Sequence, residues 1–223
     1  MPRIARIVVP EYPHHITQRG NYRQKIFSDD DDRDKYLSYI QKYSNEYGVS
    51  ILAYCLMHNH VHFIAVPDKQ DSLAKAFKAA HLCYSQYFNR KMKTAGHLWQ
   101  GRFYSAVLDE SHLISAARYI ERNPVRAKIV KKPWQWEWSS AQANINQAKP
   151  KIRLKNLLEL VGMSCNSWKQ LLDCEEDAKT LDNIRKHTLT GRPLGASAFI
   201  EKLEKRFGKR MHALTIGRPK KKK

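Results

Sequence analysis

The chain has 223 residues, 42% of them hydrophobic, which suits a globular protein with one substantial core and a smaller appendage. Forty Lys and Arg residues outnumber 21 Asp and Glu residues, and the formal net charge of +19 favours a polyanionic partner over a basic protein without one. No apolar run is long enough for a signal peptide or a membrane span, and the four cysteines form no CxxC pair, so a cytoplasmic protein without membrane contact or disulfides is expected.

Strands and helices alternate in the first third of the sequence. Residues 4–9 predict a short strand, and residues 14–19 predict a second strand or its continuation. Ser28 and Asp31 fit a capping box that opens a helix, and Gly48 ends it. Residues 49–57 are apolar on both faces, as in a central strand, whereas residues 60–66 alternate.

A long helix, a short strand and a second helix come next. The pattern predicts these elements at residues 72–92, 104–108 and 111–123, with Pro124 closing the last helix, and short helical patterns at 154–161, 168–172 and 199–207. This order predicts an α+β fold with helices on one face of an antiparallel sheet, followed by a small basic helical C-terminal appendage.

Three histidines alternate at positions 58, 60 and 62 of a predicted strand. Because residues i and i+2 of a strand project from one face, His60 and His62 can direct their imidazoles at one cation. A chance pair is the alternative, since the chain has ten histidines. By ligand softness alone, two imidazoles favour zinc, nickel or manganese over magnesium.

The helix predicted at 111–123 supplies a second group of candidates. Its buried stripe consists of Leu113, Ala116, Ala117 and Ile120. Tyr119 and Asn123 lie off this stripe, four residues apart, so they share one side of the helix. If that side faces the histidine strand, a metal site with an adjacent nucleophile results. Otherwise Tyr119 is a partly buried aromatic residue, and Asn123 ends the helix before Pro124.

Five stretches resemble, in order, the motifs of the REP-associated tyrosine transposases, a group of the small tyrosine transposases with a His-hydrophobic-His signature. They are TQRGN at 17–21, MHNHVHF at 57–63, LWQGRF at 98–103, YIERNPVRA at 119–127 and WSS at 138–140. His58 departs from the pattern, because the family usually carries proline there. The resemblance covers residues 1 to about 145.

The resemblance implies a ferredoxin-like catalytic domain at residues 1–145, and it leaves residues 146–223 as a mainly helical DNA-binding appendage with a Lys-rich tail. It implies Tyr119 as nucleophile, His60, His62 and Asn123 as metal ligands, and Mg²⁺ or Mn²⁺ as cofactor. The implied activity is metal-dependent cleavage and joining of single-stranded or hairpin, REP-like DNA through a 5′-phosphotyrosine. The implied setting is the bacterial nucleoid, and the implied assembly is a monomer or homodimer.

DNA cleavage by a tyrosine requires both an activated phenol and a bound cation. A phenol has a pKa near 10 in water and is a weak nucleophile at neutral pH. A divalent cation on the scissile phosphate stabilises the charge that develops in the transition state. A phosphotyrosine bond also keeps the energy of the broken phosphodiester for rejoining.

Basic and aromatic side chains are candidates for holding the DNA. They are Arg19, Arg23, Lys25, Trp99, Arg102, Arg118, Arg122, Arg126 and, in the C-terminal Gly-Arg-Pro step before four lysines, Arg218. For each cation, a solvated surface charge is the alternative. For Trp99, the alternative is a place in the core.

Three other functions fit part of the sequence. A non-catalytic DNA-binding protein or repressor would share the fold, but the set of His60, His62, Tyr119 and Asn123 is intact. A plasmid relaxase or replication initiator would share the histidine pair but not the motifs around Trp99 and Asn123. A structural zinc site would need four closed ligands, for which the cysteines are poorly spaced.

Overall fold

Four strands form one antiparallel sheet in the order β2–β3–β1–β4, in a computed structural model that describes residues 6–212. The strands are β1 (His14–Arg19), β2 (Val49–Leu56), β3 (His60–Pro67) and β4 (Tyr104–Val107). Helix α1 (Asp30–Glu46) joins β1 to β2, and helix α2 (Ser72–Met92) joins β3 to β4. This βαββαβ order and sheet confirm the predicted ferredoxin-like α+β fold.

The two faces of the sheet have different partners. Helices α1 and α2 pack on one face, as the sequence predicted, over residues such as Ile16, Val61 and Phe63. The other face is covered as well, by α3 (Glu110–Glu121) and by later helices, over Cys55 and Ile64. Because side chains alternate along a strand, successive residues of β3 enter these two separate cores.

The later helices are short and follow one another closely. They are α4 (Asn123–Arg126), α5 (Ala141–Asn144), α6 (Leu157–Leu160), α7 (Cys165–Asp173), α8 (Ala178–Thr190) and α9 (Ser197–Phe207), with a 3₁₀ turn at Pro133–Gln135. An irregular turn at Asn21–Arg23 follows β1. Trp168 of α7 and Ile184 of α8 are buried in the same cluster as Cys55 and Ile64 of the sheet. Residues after 145 therefore help to build the core on the α3 face of the sheet.

The structure corrects three details of the predicted elements and confirms a fourth. Residues 6–9 form no strand, so β1 begins the sheet in the described part of the chain. Asp29, not Ser28, caps α1: its side chain accepts from the Asp32 backbone N–H, while the Ser28 backbone N–H is bound to the Asp32 carboxylate instead. The helix ends at Glu46 with Tyr47 as its C-cap, and Gly48 follows in the left-handed conformation at φ 63°, so the prediction that Gly48 ends the helix is confirmed. The strand at 49–56 lies at the edge of the sheet, not in its centre.

Strand β2 is apolar on both faces because each face is buried in one of the two cores, and its free edge is covered as well. The Leu56 N–H donates to the Trp138 carbonyl at 2.8 Å, and the Lys155 N–H donates to the Ile51 carbonyl at 2.8 Å. Such cover prevents the edge from pairing with another chain. Among residues 6–212, no helix combines the length and the apolar character that a bilayer crossing requires.

Candidate active site

His60 and His62 lie on β3 with their side chains on the face that α3 covers. Their ring centroids are 5.0 Å apart, and the neighbouring residues of central strand β1 are Arg19 and Thr17. Odd-numbered residues of β3, such as Phe63, enter the core under α1 and α2 instead. The alternation that the sequence predicted therefore places both imidazoles together, beside the helix that carries Tyr119.

A chain of hydrogen bonds fixes the proton on His62. The Thr188 hydroxyl donates to the Ile184 carbonyl at 2.7 Å, so its oxygen accepts from His15 Nδ1–H at 2.8 Å. A neutral His15 then has its lone pair on Nε2, which accepts from His62 Nδ1–H at 2.9 Å. The lone pair of a neutral His62 is consequently on Nε2, the nitrogen that no hydrogen bond engages within the described residues.

His60 is oriented in a similar way by its neighbour in the chain. Its Nδ1–H donates to the Asn59 side-chain oxygen at 2.7 Å, which leaves the lone pair on Nε2. The amide nitrogen of Asn123 lies 3.4 Å from this Nε2. Each imidazole thus has its Nδ1 bonded to the protein and its lone pair on Nε2, which on His60 faces the Asn123 amide.

Burial keeps these imidazoles neutral. Desolvation, and then the charges of Arg19 and Arg126, lower the pKa of His60 to about 4. Desolvation also holds the pKa of His62 well below its usual range, and lowers that of His15 to about 3. Neutral imidazoles are the form that binds a cation. The donor set of two imidazole nitrogens and one amide oxygen therefore fits a divalent metal with open positions for phosphate and water oxygens.

Tyr119 lies against the imidazoles. Its ring centroid is 5.7 Å from that of His62 and 5.7 Å from that of His15, edge to face in both cases. The side chain is buried, with 8% of its surface exposed. The Arg126 guanidinium lies 4.1 Å from the ring centroid. Arg185 of α8 also contacts Tyr119. Desolvation lowers the pKa of Arg185, but the hydrogen bond with the Tyr119 side chain raises it, and the pKa of Arg185 is raised overall.

Asn123 reaches the site because the chain stays helical after α3. The sequence placed the helix end at Pro124, but α3 ends at Glu121 and Asn123 begins α4, with Pro124 in its first turn. Proline fits a first turn because that position needs no N–H donor. Tyr119 and Asn123 therefore remain on the side that faces the histidines, and both are buried.

A comparison with known protein families identifies the family of this chain. The family model of the IS200-like transposases matches residues 8–123, which is more than half of the chain. The chain belongs to this transposase family. It is thus a DNA-processing enzyme by descent, and the match ends at Asn123.

Solved structures support the shared fold. The transposase resembles a REP-associated tyrosine transposase bound to a REP hairpin, with 18% identity and a TM-score of 0.56 over 70% of this chain and 93% of that one. A chain from Deinococcus radiodurans R1, described as a transposase, has 17% identity over 54% of this chain and 97% of its own, but its TM-score of 0.39 is too low to support an argument. No curated protein matches the transposase significantly.

Three arginines that the sequence proposed for DNA contact have partners within the transposase. Arg122 and Arg126 form ion pairs with Glu176 at 3.1 and 2.6 Å. Arg118 donates to the carbonyls of residues 174 and 175, both at 2.7 Å. These guanidinium groups hold residues 172–176 against α3 and α4, so DNA would have to compete with that segment to reach them.

Four of the other proposed DNA contacts lie at the surface of the transposase. Arg19, Arg23, Lys25 and Arg102 are exposed. Trp99 is half-buried, and its indole N–H donates to the His81 carbonyl at 3.1 Å. Trp99 and Arg102 line a groove of about 790 Å³ beside α2. Arg218 lies outside the described residues. His58 is exposed and bonds to Arg33, away from the imidazole pair.

Sequence reasoning missed His15, Thr188 and Arg185. His15 follows the same alternation as Arg19 on β1, so its face was predictable once the strand was known. Thr188 and Arg185 lie on α8, which no sequence pattern indicated. Within the described residues, no three His, Cys, Asp or Glu side chains form a group that could hold a metal ion.

Proposed function

We propose that the transposase is a metal-dependent single-strand DNA endonuclease and strand-transferase with Tyr119 as its nucleophile. One observation carries this proposal: the Tyr119 ring lies 5.7 Å from that of His62, while the Asn123 amide lies 3.4 Å from His60 Nε2. The phenol thus lies beside the imidazole pair. Attack on a held phosphate requires a nucleophile next to the groups that hold it.

His60, His62 and Asn123 would hold a divalent cation, Mg²⁺ or Mn²⁺, which supplies Lewis-acid stabilisation of the phosphate oxygens when bound. The Asn123 amide can turn its oxygen towards the site, because the two ends of an amide are interchangeable by rotation. His15 and Thr188 would act as positioning residues that keep the His62 lone pair on Nε2. Such outer partners usually hold the orientation of a ligating histidine.

The reaction would proceed by exchange of one phosphate ester for another. The Tyr119 oxygen forms a bond to phosphorus and loses its proton, while the bond from phosphorus to the 3′ oxygen breaks and that oxygen takes up a proton. The 5′-phosphate remains on Tyr119. Attack by another 3′-hydroxyl reverses these changes and joins the strands.

The substrate would be hairpin or other single-stranded DNA of the REP type. The net charge of +19 favours a polyanion, and Arg19 is exposed beside His60. The similar fold that was solved with a REP hairpin supports the same class of ligand here. Residues 1–145 would form the catalytic segment, and residues 146–223 would assist DNA binding. Tyr119 lies beside the imidazoles of its own chain, which supports a site assembled within one protomer.

A covalent-adduct assay tests the proposal. Labelled hairpin DNA and Mn²⁺ should give a protein–DNA adduct that survives denaturant. Tyr119→Phe should abolish the adduct and leave DNA binding nearly unchanged, whereas Tyr39→Phe, at a partly exposed tyrosine of α1, should preserve both. An adduct formed by Tyr119→Phe would show that another residue is the nucleophile.

A second function, DNA binding without catalysis, is favoured by the burial of Tyr119. Its ring is only 8% exposed and lies under the Arg126 guanidinium. If hairpin DNA binds tightly but gives no adduct with Mn²⁺ or Mg²⁺, this second function is the correct one.

A further inference from the structure

One aromatic side chain stands almost free of the protein. Tyr22 is 93% exposed, and it is the one aromatic residue among the large exposed hydrophobic side chains of residues 6–212. It lies in the turn at residues 20–25, here named the Tyr22 loop. An exposed aromatic ring of this kind has apolar faces available to a ligand.

The Tyr22 loop is a built structure that holds the ring outward. Tyr22 and Arg23 have positive φ angles of 50° and 61°, which residues with a Cβ rarely adopt. The Asn21 N–H donates to the Leu98 carbonyl at 2.8 Å, and the Gln24 N–H donates to the Asn21 carbonyl at 2.9 Å. Such conformations persist where the surroundings enforce them, commonly at ligand sites.

The Tyr22 loop rests on the turn that leads into the candidate metal site. The Gly20 N–H donates to the Asn59 carbonyl at 2.8 Å, and the Ile26 N–H donates to the His58 carbonyl at 2.9 Å. The Asn59 amide donates to the Arg23 carbonyl at 3.2 Å. The Asn59 side-chain oxygen also accepts a hydrogen bond from His60 Nδ1–H, so Asn59 contacts both the Tyr22 loop and the imidazole.

The charges around the loop are positive. Arg19, Arg23 and Lys25 are exposed, and their side chains form no ion pair with any residue from 6 to 212. An aromatic ring among cations is the arrangement that binds single-stranded nucleic acid, since bases stack on the ring while phosphates meet the cations.

We infer that Tyr22 is a stacking platform for an unpaired base of the DNA next to the phosphate held at His60 and His62. The inference rests on the proposed function for the identity of the substrate. It adds a binding residue, and it predicts that the nucleotide beside the cut is unstacked from its neighbours. A base inside a duplex cannot reach the ring, because both of its faces are already covered.

Affinity measurements separate stacking from charge. The probes are a fluorescent 12-nucleotide thymidine strand and a blunt 12-base-pair duplex, measured by anisotropy at several salt concentrations. Tyr22→Ala should weaken strand binding about tenfold, which lies in the lower part of the range for one stacked base, without changing the salt dependence. Tyr22→Trp should restore binding, and the duplex should bind all variants equally. Arg23→Gln should instead reduce the salt dependence by about one phosphate contact.

Two controls guard against a folding effect. Alanine and tyrosine meet the same backbone strain at φ 50°, so Tyr22→Ala should unfold at the same urea concentration as the unmodified protein. Leu160→Ala, at another exposed apolar residue, should bind the strand normally.

Photo-crosslinking locates the contact directly. A strand that carries 5-iodouracil should crosslink to Tyr22, and trypsin should release the product in the peptide of residues 20–23, which has one aromatic residue. Equal strand affinity for Tyr22→Ala and the unmodified protein, with crosslinks elsewhere, overturns the inference. The inference is also overturned if Tyr22→Ala weakens binding of the strand and of the duplex by the same factor. It is overturned as well if Tyr22 crosslinks to an added acidic protein but not to the strand.

The same samples distinguish failure of this inference from failure of the proposed function. If adducts form on Tyr119 while Tyr22→Ala binds the strand normally, the stacking role is wrong and the enzyme assignment stands. If no adduct forms but Tyr22→Ala still loses strand affinity, the catalytic proposal is wrong and the stacking role stands. If the unmodified protein binds no single strand, both are wrong.

Discussion

Replacement of Thr188 by valine should weaken metal binding, although Thr188 is too remote to touch the metal. Its hydroxyl accepts from His15 Nδ1–H at 2.8 Å, and His15 in turn accepts from His62 at 2.9 Å. Valine has nearly the same shape but no acceptor. His15 would then keep its proton on Nε2 and donate to His62 Nδ1, which moves the His62 proton to the nitrogen that faces the cation.

The magnitude follows from the cost of reversing that shift. For His62 to bind the cation, His15 must place its proton on Nδ1 again, where it is now buried without an acceptor. An unsatisfied buried donor costs roughly 1–3 kcal/mol, and tenfold in affinity corresponds to about 1.4 kcal/mol. We therefore expect Mn²⁺ to bind about 10–100-fold more weakly, the range seen when partners of metal-bound histidines are removed.

Manganese titration by electron paramagnetic resonance checks this in the absence of DNA. Thr188→Ser, which keeps the hydroxyl, should bind Mn²⁺ nearly as well as the unmodified protein. Thr190→Val, at an exposed threonine bonded only within α8, should have no effect. Nitrogen-15 spectra of the imidazoles should show the His62 proton on Nδ1 in the unmodified protein and on Nε2 in Thr188→Val. Equal Mn²⁺ affinity for Thr188→Val and the unmodified protein would refute the reasoning.

Two further predictions concern stability. Burial lowers the pKa of His81 to about 3, whereas the same imidazole has a pKa near 6.5 in the unfolded chain. The unfolded chain therefore binds a proton here first, and the free energy of unfolding should fall as pH drops below about 6.5. For this residue the fall is up to about 1.4 kcal/mol per pH unit. His81→Gln should flatten that slope in urea unfolding at pH 6 to 4, and an unchanged slope would contradict the assignment. Glu121→Gln should destabilise the protein by about 1–3 kcal/mol, because the carboxylate accepts from Ser140, Asn144 and Trp168, and an amide cannot accept on both sides. Exposed Glu137→Gln is the control, and equal urea midpoints for the two variants would count against this role.

The sequence was informative where a pattern is local. The 21 residues of α2 repeat apolar side chains at helical spacing, and its bounds, Ser72 and Met92, agree with the prediction. The alternation at His60 and His62 also identified the correct face of β3. Both patterns depend only on neighbours in the chain, so they can be interpreted without knowledge of the fold.

The sequence was misleading where an element is buried by residues that are distant in the chain. Strand β2 was predicted to be central because it is apolar on both faces, yet it is an edge whose free side is bonded to residues 138 and 155. Helix α8 was missed because its only buried side chains are those of Ile184 and Thr188, which form too sparse a stripe to recognise. Tertiary contacts decide both cases, and no local pattern contains them.

The position of Thr188 has a consequence for the whole family. The match to the IS200-like transposases ends at Asn123, yet the acceptor that fixes His15, and through it His62, comes from residue 188. The catalytic segment therefore contains the candidate ligands but not the group that sets the proton on one of them. A relative that carries a histidine at the position of His15 but lacks α8 must supply another acceptor there. Otherwise its ligand histidine keeps the proton on the wrong nitrogen, and its metal affinity should match that of Thr188→Val.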